Sequence, residues 1–559
     1  MTASSRLTQS SQALIAFLKN EATLSPRRAF MIAATAGLSN AMILAIVSNA
    51  AQHASESKSR PLLAVFFVLA IVIYLISQRW ILIQAADQVE NIIHKVRMRI
   101  VRRLRSCELM DVERLGSAVI YSGLTRHTQT LSQSASTMTI AVQMMILVIF
   151  TSAYIAWISF TAFLVLAAFM AVALSIYFKR SFNVRNDLQT TLQMDNDVYT
   201  SISDYLDGFK EMKLSRAKAS AVQGRIDEIS ERASVVRGET QVLLAKNFVF
   251  SQAAFYLLLG TMVFVVPILT HGFSDVVQKS TTAVLFIIGP MAGVIGSIPI
   301  FENASAAARA IMDLEDKVEE MAAGRRDEGM VEPSVEPLPF ESLEMRNVVF
   351  RYEATEHEPG FQLGPIDLRL ERGEALFITG GNGSGKSTLL RVLTGLYPHV
   401  SGEILLDGER VDTQRQQEFR ERFATVFGDF HLSPHLDGVA DEALIEAAHW
   451  LRQFEIDHKV ELQDRTFSTV DLSTGQRKRL ALVAALLEHR PILLLDEWAA
   501  DQDPVFRRIF YLELLPKIRE RGITLVAVTH DSRYFSVADR QMHMEDGVMT
   551  DFNPETFHD

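Results

Sequence analysis

The sequence predicts a multi-domain membrane protein: an all-α region of six membrane spans, then an α/β domain. Three observations predict it. Six apolar stretches in the first 305 residues each approach the roughly 20 residues a helix needs to cross a bilayer, and none follows Phe301. From about Phe340 the pattern changes to strand–turn–helix alternation. Within that second part, a short strand runs into a glycine-rich loop and then a helix.

Composition narrows the class before any motif is read. The chain has 559 residues, 55 Lys and Arg against 66 Asp and Glu, and a net charge of −11. An acidic balance of this kind argues against a protein that grips nucleic acid. Hydrophobic residues make up 48% of the chain, which excludes disorder as a global description. The mean hydropathy of +0.14 is high for a soluble enzyme. With one cysteine, Cys107, there is no intrachain disulfide framework and no zinc site built on two cysteines.

The six stretches run Ala29–Ala51, Pro61–Ser77, Met138–Trp157, Phe160–Phe178, Phe248–Leu269 and Thr282–Phe301. The first is too long, and its charged lead-in too extended, for a cleaved signal, so it reads as a retained span. Almost nothing separates Trp157 from Phe160, which predicts a tight external hairpin. Charge sets the orientation. The connection 78–137 carries nine Lys and Arg and the connection 179–247 carries eleven, whereas the opposite connections hold only Lys58, Arg60 and Lys279. Positive residues stay inside, so both long connections, both termini and everything after Phe301 are expected in the cytoplasm. Asn40, Gln143, Ser251 and Gln252 are polar residues within spans, facing a cavity or joining helices.

The long connections lack proline and mix charged with apolar residues, so 85–113 and 185–237 read as spans extended into helical stalks, each connection turning back once. The proline-bearing stretch Met330–Pro339 reads as a linker. The expected division is a membrane domain over 1–325, a linker over 326–340 and an α/β domain over 341–559.

Ala375–Thr379 is a short apolar strand, followed by Gly380-Gly381-Asn382-Gly383-Ser384-Gly385-Lys386-Ser387-Thr388 and a helix over Leu389–Leu396. This is G-x-x-x-x-G-K-[ST] between a strand and a helix, a phosphate-binding loop. The glycines let the backbone wrap, so that N–H groups from Asn382, Gly383, Ser384, Gly385 and Thr388 face phosphate oxygens. The helix N-terminus adds its positive end. Lys386 then reaches the β- and γ-phosphates, and Ser387 offers a hydroxyl to Mg²⁺. A second element, Pro491-Ile492-Leu493-Leu494-Leu495-Asp496-Glu497, is a buried-type strand ending in two acids about 110 residues after Lys386. Asp496 is expected to hold Mg²⁺ through water, and Glu497 to polarise the attacking water of ATP hydrolysis.

The third element is Leu472-Ser473-Thr474-Gly475-Gln476. It resembles the LSGGQ signature of ABC transporters, with Thr474 in place of the first of the two glycines. That resemblance implies a P-loop ABC ATPase domain. It also implies that Ser473, Gly475 and Gln476 meet the γ-phosphate held by the Lys386 loop of a second subunit. By the same resemblance, Tyr352 corresponds to the aromatic that stacks on adenine, His530 to the switch histidine at the γ-phosphate, and Asp503 to the acid of the loop after the catalytic glutamate. The family's Mg²⁺-binding glutamine between loop and signature is missing. The strand there reads Ala424-Thr425-Val426-Phe427-Gly428-Asp429, and Asp429 is the side chain that could take the metal instead.

A membrane part followed by one ATPase domain resembles an exporter-type half-transporter, which implies a two-chain assembly. Every catalytic residue is present in this sequence, so a homodimer is expected, with a heterodimer as the alternative. The stretches Glu113–Gly116, Tyr121–Thr125, Thr128–Thr130 and Tyr205–Leu214, together with Phe427–Leu432 (FGDFHL) and Asp496–Pro504 (DEWAADQDP), resemble the exporters of cyclic peptides and siderophore peptides, including those of pyoverdine precursors and syringomycin. The cargo implied is a peptide-like small molecule leaving the cytoplasm across a bacterial inner membrane. The alternatives are a lipid or glycolipid flippase of the same fold and a nucleotide-gated sensor or channel.

Overall fold

A computed structural model of the chain describes residues 26–54, 61–269, 274–323, 338, 340–353 and 360–552. The lead-in before the first span, the charged pair Lys58 and Arg60, and nearly all of the expected linker lie outside the described residues. By internal contact the chain forms two compact units, residues 1–98 with 120–315 and residues 99–119 with 316–559.

The first unit is helical. Its principal helices are α1 (Pro26–Ala54), α2 (Pro61–Arg105, whose last residues belong to the second unit), α4 (Thr128–Ile158), α5 (Phe160–Asp207), α6 (Phe209–Leu214), α7 (Arg216–Gly260) and α8 (Ser274–Ala322). The intervening short helix α3 (Leu109–Leu115) belongs to the second unit. Four helical runs among the described residues are long and apolar enough to cross a membrane: Leu62–Arg105, Ser117–Ile158, Arg216–Ile268 and Lys279–Ala322. Two shorter apolar stretches, Ala34–Val47 and Phe160–Ala173, fall where the first and fourth spans are expected, and the count of six rests on them. The apolar stretch of α2 is almost wholly exposed, as Leu62, Val65, Leu75 and Ile76 illustrate, which suits a face turned to lipid.

The expected hairpin is made by a single residue. Ser159 adopts extended backbone between α4 and α5, and its hydroxyl accepts the Ala162 N–H at 3.3 Å, capping α5. Ile155 of α4, Ala162 and Leu166 of α5, Phe255 and Leu258 of α7, and Val284 and Ile287 of α8 form one buried apolar cluster. Gln143 and Ser251 are buried, and the Ser251 hydroxyl turns back to the Asn247 carbonyl of its own helix at 2.9 Å. The first stalk breaks at 106–108 rather than running unbroken to Glu113. The second turns through α6 between Gly208 and Ser215.

The second unit holds the α/β part. Its strands are β1 (Ser342–Arg351), β2 (Gln362–Glu371), β3 (Ala375–Gly380), β4 (Ser401–Leu406), β5 (Glu409–Arg410), β6 (Phe423–Val426), β7 (Leu462–Gln463), β8 (Thr466–Phe467), β9 (Ile492–Asp496), β10 (Thr524–Val528), β11 (Arg540–Glu545) and β12 (Val548–Asp551). Six form one sheet in the order β12-β11-β3-β10-β9-β6, parallel except for β12. Four form an antiparallel sheet, β2-β1-β4-β5. Strands β3, β9 and β10 are buried at every position, as a parallel sheet covered on both faces requires. One apolar layer, with Val348, Phe350, Leu376, Ile378, Leu494 and Val526, joins the two sheets and takes in the helix α9 (Lys386–Leu393). On the other face Trp450, Phe454, Trp498, Phe506 and Tyr511 pack with the helix α10 (Thr474–Leu487).

Register places the chemistry. Val528 of β10 pairs with Asp496 of β9 on one side and with Ile378 of β3 on the other. The carboxyl ends of these three strands therefore lie side by side. The glycine-rich loop after β3, Glu497 after β9 and His530 after β10 emerge along that one edge.

Candidate active site

The loop after β3 needs its glycines. Gly383 and Gly385 have φ of 80° and 102°, and a Cβ on Gly385 would lie 2.8 Å from the Phe361 ring. Helix α9 starts at Lys386, whose side chain is buried; its ammonium donates to the Gly380 carbonyl at 3.0 Å and the Gly381 carbonyl at 2.9 Å. The same nitrogen stands 3.8 Å from Glu497 Oε1.

Asp496 lies beside Ser387 at the start of α9. It is buried, and that burial pushes its carboxyl above the ordinary range, against the opposing hydrogen bonds from the Ser387 hydroxyl and the Gly428 N–H. The group could hold a divalent cation: a buried carboxylate already bonded to a serine hydroxyl is the oxygen donor set that Mg²⁺ takes, the remainder coming from phosphate and water. Among the described residues no three His, Cys, Asp or Glu side chains form a metal cluster of their own, so a cation here would depend on the nucleotide.

Glu497 is held at its backbone and at one end of its carboxylate. Its backbone sits in the left-handed region at φ 48°, its N–H donates to the Val528 carbonyl at 3.1 Å, and its Oε1 lies 3.2 Å from His530 Nε2. Its carbonyl accepts from the buried Lys478 ammonium at 2.8 Å, and that ammonium also pairs with Asp501 at 2.7 Å. Nothing in the sequence singles out Lys478; only the fold brings α10 beneath the end of β9.

Tyr352, Phe361, Asn382, Gly383, Gly385, Lys386, Ser387, Thr388 and Glu497 line one cleft of about 330 Å³. Ser384 lies in the same loop with its hydroxyl oxygen buried. Asp496 and His530 join through Ser387 and Glu497. Phe361 is an addition, an aromatic whose carbonyl accepts the Tyr352 N–H at 2.9 Å.

The other expected residues form a separate group. Ser473 and Gln476 make a capping box at the start of α10, with the Ser473 N–H 3.4 Å from Gln476 Oε1. Gly475 packs so tightly that a Cβ would meet the Asp501 carbonyl at 2.7 Å, and its own carbonyl accepts from Gln502 at 3.0 Å. Asp503 caps the helix α11 (Pro504–Ile509) and pairs with Arg479 at 2.9 Å; the Phe506 N–H, more than Arg479, holds its carboxyl below the ordinary range. Asp429 pairs with Arg391 at 2.8 Å, and the neighbouring contact to Asp496 comes from the Gly428 backbone.

Residues 363–500 match the family described as ABC transporter. The ATP-binding protein SyrD of Pseudomonas syringae pv. syringae is 32% identical over 471 residues, covering 82% of each chain. This chain belongs to the ABC transporter family. This ABC transporter is also similar to the ATP-dependent lipid A-core flippase of Escherichia coli K12, at 27% identity over 71% of this chain and 68% of the relative. A shorter similarity, 30% over 220 residues, links it to the energy-coupling factor transporter ATP-binding protein EcfA1 of Streptococcus mutans, over 37% of this chain and 76% of that one. Its activity is ATP hydrolysis coupled to transport, and it is a membrane-embedded exporter with a cytoplasmic ATPase domain.

Proposed function

We propose that this ABC transporter works as a homodimer in a bacterial inner membrane and exports a peptide-like natural product, a cyclic peptide or siderophore precursor, using Mg²⁺ and ATP. The observation that carries this reading is similarity along most of the chain: SyrD matches over 82% of it, far more than an ATPase domain alone could supply. The stalk and ATPase stretches that resemble the peptide exporters support the same cargo.

The residues divide the work. Adenine stacks on Tyr352, and the loop N–H groups with Lys386 hold the phosphates. Ser387 and Asp496 would hold Mg²⁺, which when bound would supply charge neutralisation for the phosphates. Glu497 accepts hydrogen bonding and then a proton from the attacking water, while His530 keeps its carboxylate aimed. Ser473 and Gly475 of a second copy close over the γ-phosphate. ATP drives closure to the extent that it binds the closed state more tightly than the open one.

The lipid flippase remains the second reading, favoured by the 27% identity to the lipid A-core flippase. ATPase assays of the protein in lipid nanodiscs separate the two. Turnover raised by cyclic or siderophore peptides, and lowered about 10²–10³-fold by Glu497→Gln, supports peptide export. Turnover indifferent to every peptide and raised by lipid moves the assignment to the flippase. Undiminished turnover in Glu497→Gln removes the catalytic assignment.

A further inference from the structure

Tyr397 belongs to none of the motifs, yet it is buried at a junction of the second unit. Its position is set by the end of α9. Gly395 turns with φ 70°, and the N–H groups of Leu396 and Tyr397 both donate back to the Arg391 carbonyl, at 2.9 and 3.1 Å. The ring stacks on Phe350, with centroids 5.3 Å apart, and meets Tyr352 edge-on at 5.9 Å. The hydroxyl donates to Glu113 Oε2 at 2.7 Å and accepts from Arg391 Nη1 at 2.8 Å.

Each partner leads to a different part of the molecule. Glu113 belongs to α3, the turn of the first stalk, which Glu108 also anchors through an ion pair with Arg420. Arg391 lies one helical turn beyond Ser387 on α9, and its other nitrogen holds Asp429 at 2.8 Å, next to the Gly428 N–H that bonds Asp496. Tyr352 lines the cleft. One hydroxyl is thus reached from the base end of the cleft through Tyr352, and from the phosphate end through α9.

We propose that Tyr397 is a positioning residue that transmits nucleotide occupancy to the stalk turn, through the Arg391–Tyr397–Glu113 hydrogen bonds. This rests on the reading of the cleft as the ATP site. A base stacked on Tyr352 immobilises the ring against which Tyr397 packs, and phosphates bound at the start of α9 immobilise Arg391. With both neighbours fixed, the hydroxyl stays on Glu113 and α3 is ordered, at no further conformational cost. A purely structural Tyr397 would order α3 equally with or without nucleotide.

The test is hydrogen exchange of the full chain in nanodiscs, with and without Mg²⁺ and a poorly hydrolysed ATP analogue. Two regions are compared, 109–116 and 380–388. In the unmodified protein both should gain protection. Tyr397→Phe keeps the ring stack and removes the hydroxyl. It should leave protection of 380–388 unchanged and reduce the nucleotide-dependent protection of 109–116 by about tenfold, the scale of one hydrogen bond to a charged group. Glu113→Ala should do the same from the other end, and the double variant should lose no more than the worse single one. Full protection of 109–116 in Tyr397→Phe, or additive losses in the double variant, overturns the proposal. If 380–388 itself gains nothing in the unmodified protein, the ATP-site reading fails and the proposal falls with it.

Discussion

A buried acid next to a second acid carries a stability cost, and Asp496 makes its sign explicit. Its folded-state value is raised above the ordinary 3.8, chiefly by burial. A raised carboxyl contributes stability that is present below the unfolded value and lost as pH rises through the folded one. At neutral pH the ionised group is therefore a net cost to the fold, one that the proposed cation would offset. Asp496→Asn, which retains an acceptor for Ser387 and Gly428, is expected to raise the melting midpoint by about 2–4 °C at pH 7 while abolishing hydrolysis. Differential scanning fluorimetry at pH 7 and a phosphate-release assay check both halves. A lower midpoint at pH 7 would mean that the carboxylate contributes more through its hydrogen bonds than its burial costs.

The same scale explains what could be read in advance. The glycine-rich loop and the Asp496–Glu497 pair stand in contiguous residues at strand ends, whereas His530 comes only from the order the family resemblance implies; the fold brings them to one edge. Asp429 and Asp503 show the limit. Each is an acid in the expected place, but the arginine that engages it lies 38 and 24 residues away in sequence. Phe361, Tyr397 and Lys478 carry no local signal, since each matters through a neighbour that only the tertiary fold supplies.

At the scale of elements, α10 and the end of β9 behave as one piece. Lys478 and Arg479 project from α10 to Glu497, Asp501, Gln502 and Asp503, and Trp498 donates its indole N–H to the Lys478 carbonyl at 2.7 Å. The segment 472–476 is thereby tied to Glu497 of its own chain, the proposed catalytic base. Lys478→Met keeps the apolar stem and removes the ammonium, leaving the Glu497 carbonyl without that donor. The expected result is a kcat lowered by about 10–100-fold with an unchanged KM for ATP, because a small misplacement of the base affects chemistry more than binding. Lys478→Gln, whose amide can still donate, should recover part of the loss. Steady-state kinetics over a range of ATP separates this from a binding defect.

Secondary structure was legible where periodicity and length were strong. The spans and stalks were expected as helices from their apolar runs and proline-free connections, and β3 and β9 from their uniformly apolar strands. The break at 106–108 was not; there Glu108 engages Arg420, 312 residues along the chain, a partner the local sequence does not show. The shortness of Ala34–Val47 reflects its Ala, Ser and Asn content, which weakens the hydropathy that identifies a span.

For the whole molecule, the proposed homodimer makes a sharp prediction about complementation. If each ATP lies between one chain's Lys386 loop and another's Ser473, mixed dimers of Lys386→Ala and Ser473→Ala chains contain one intact composite site and one doubly defective site. Co-expressed chains purified by two different tags should hydrolyse ATP well above either variant alone. No recovery in the mixed dimer would argue that both functions act within one chain.

The two compact units do not follow the order of the chain. Residues 99–119 are made before most of the membrane helices, yet they complete the unit that is synthesised last. Leu109 and Met110 cover its apolar layer, while Glu108 and Glu113 satisfy Arg420 and Tyr397. A carboxy-terminal piece alone would lack this cover. A fragment spanning 341–559 should express with exposed apolar surface, associate, and melt several degrees below the intact chain, and a synthetic 99–119 peptide added in trans should raise its midpoint. During biosynthesis the stalk turn must wait, without the cover it will later have, until the ribosome has delivered the strands it will pack against.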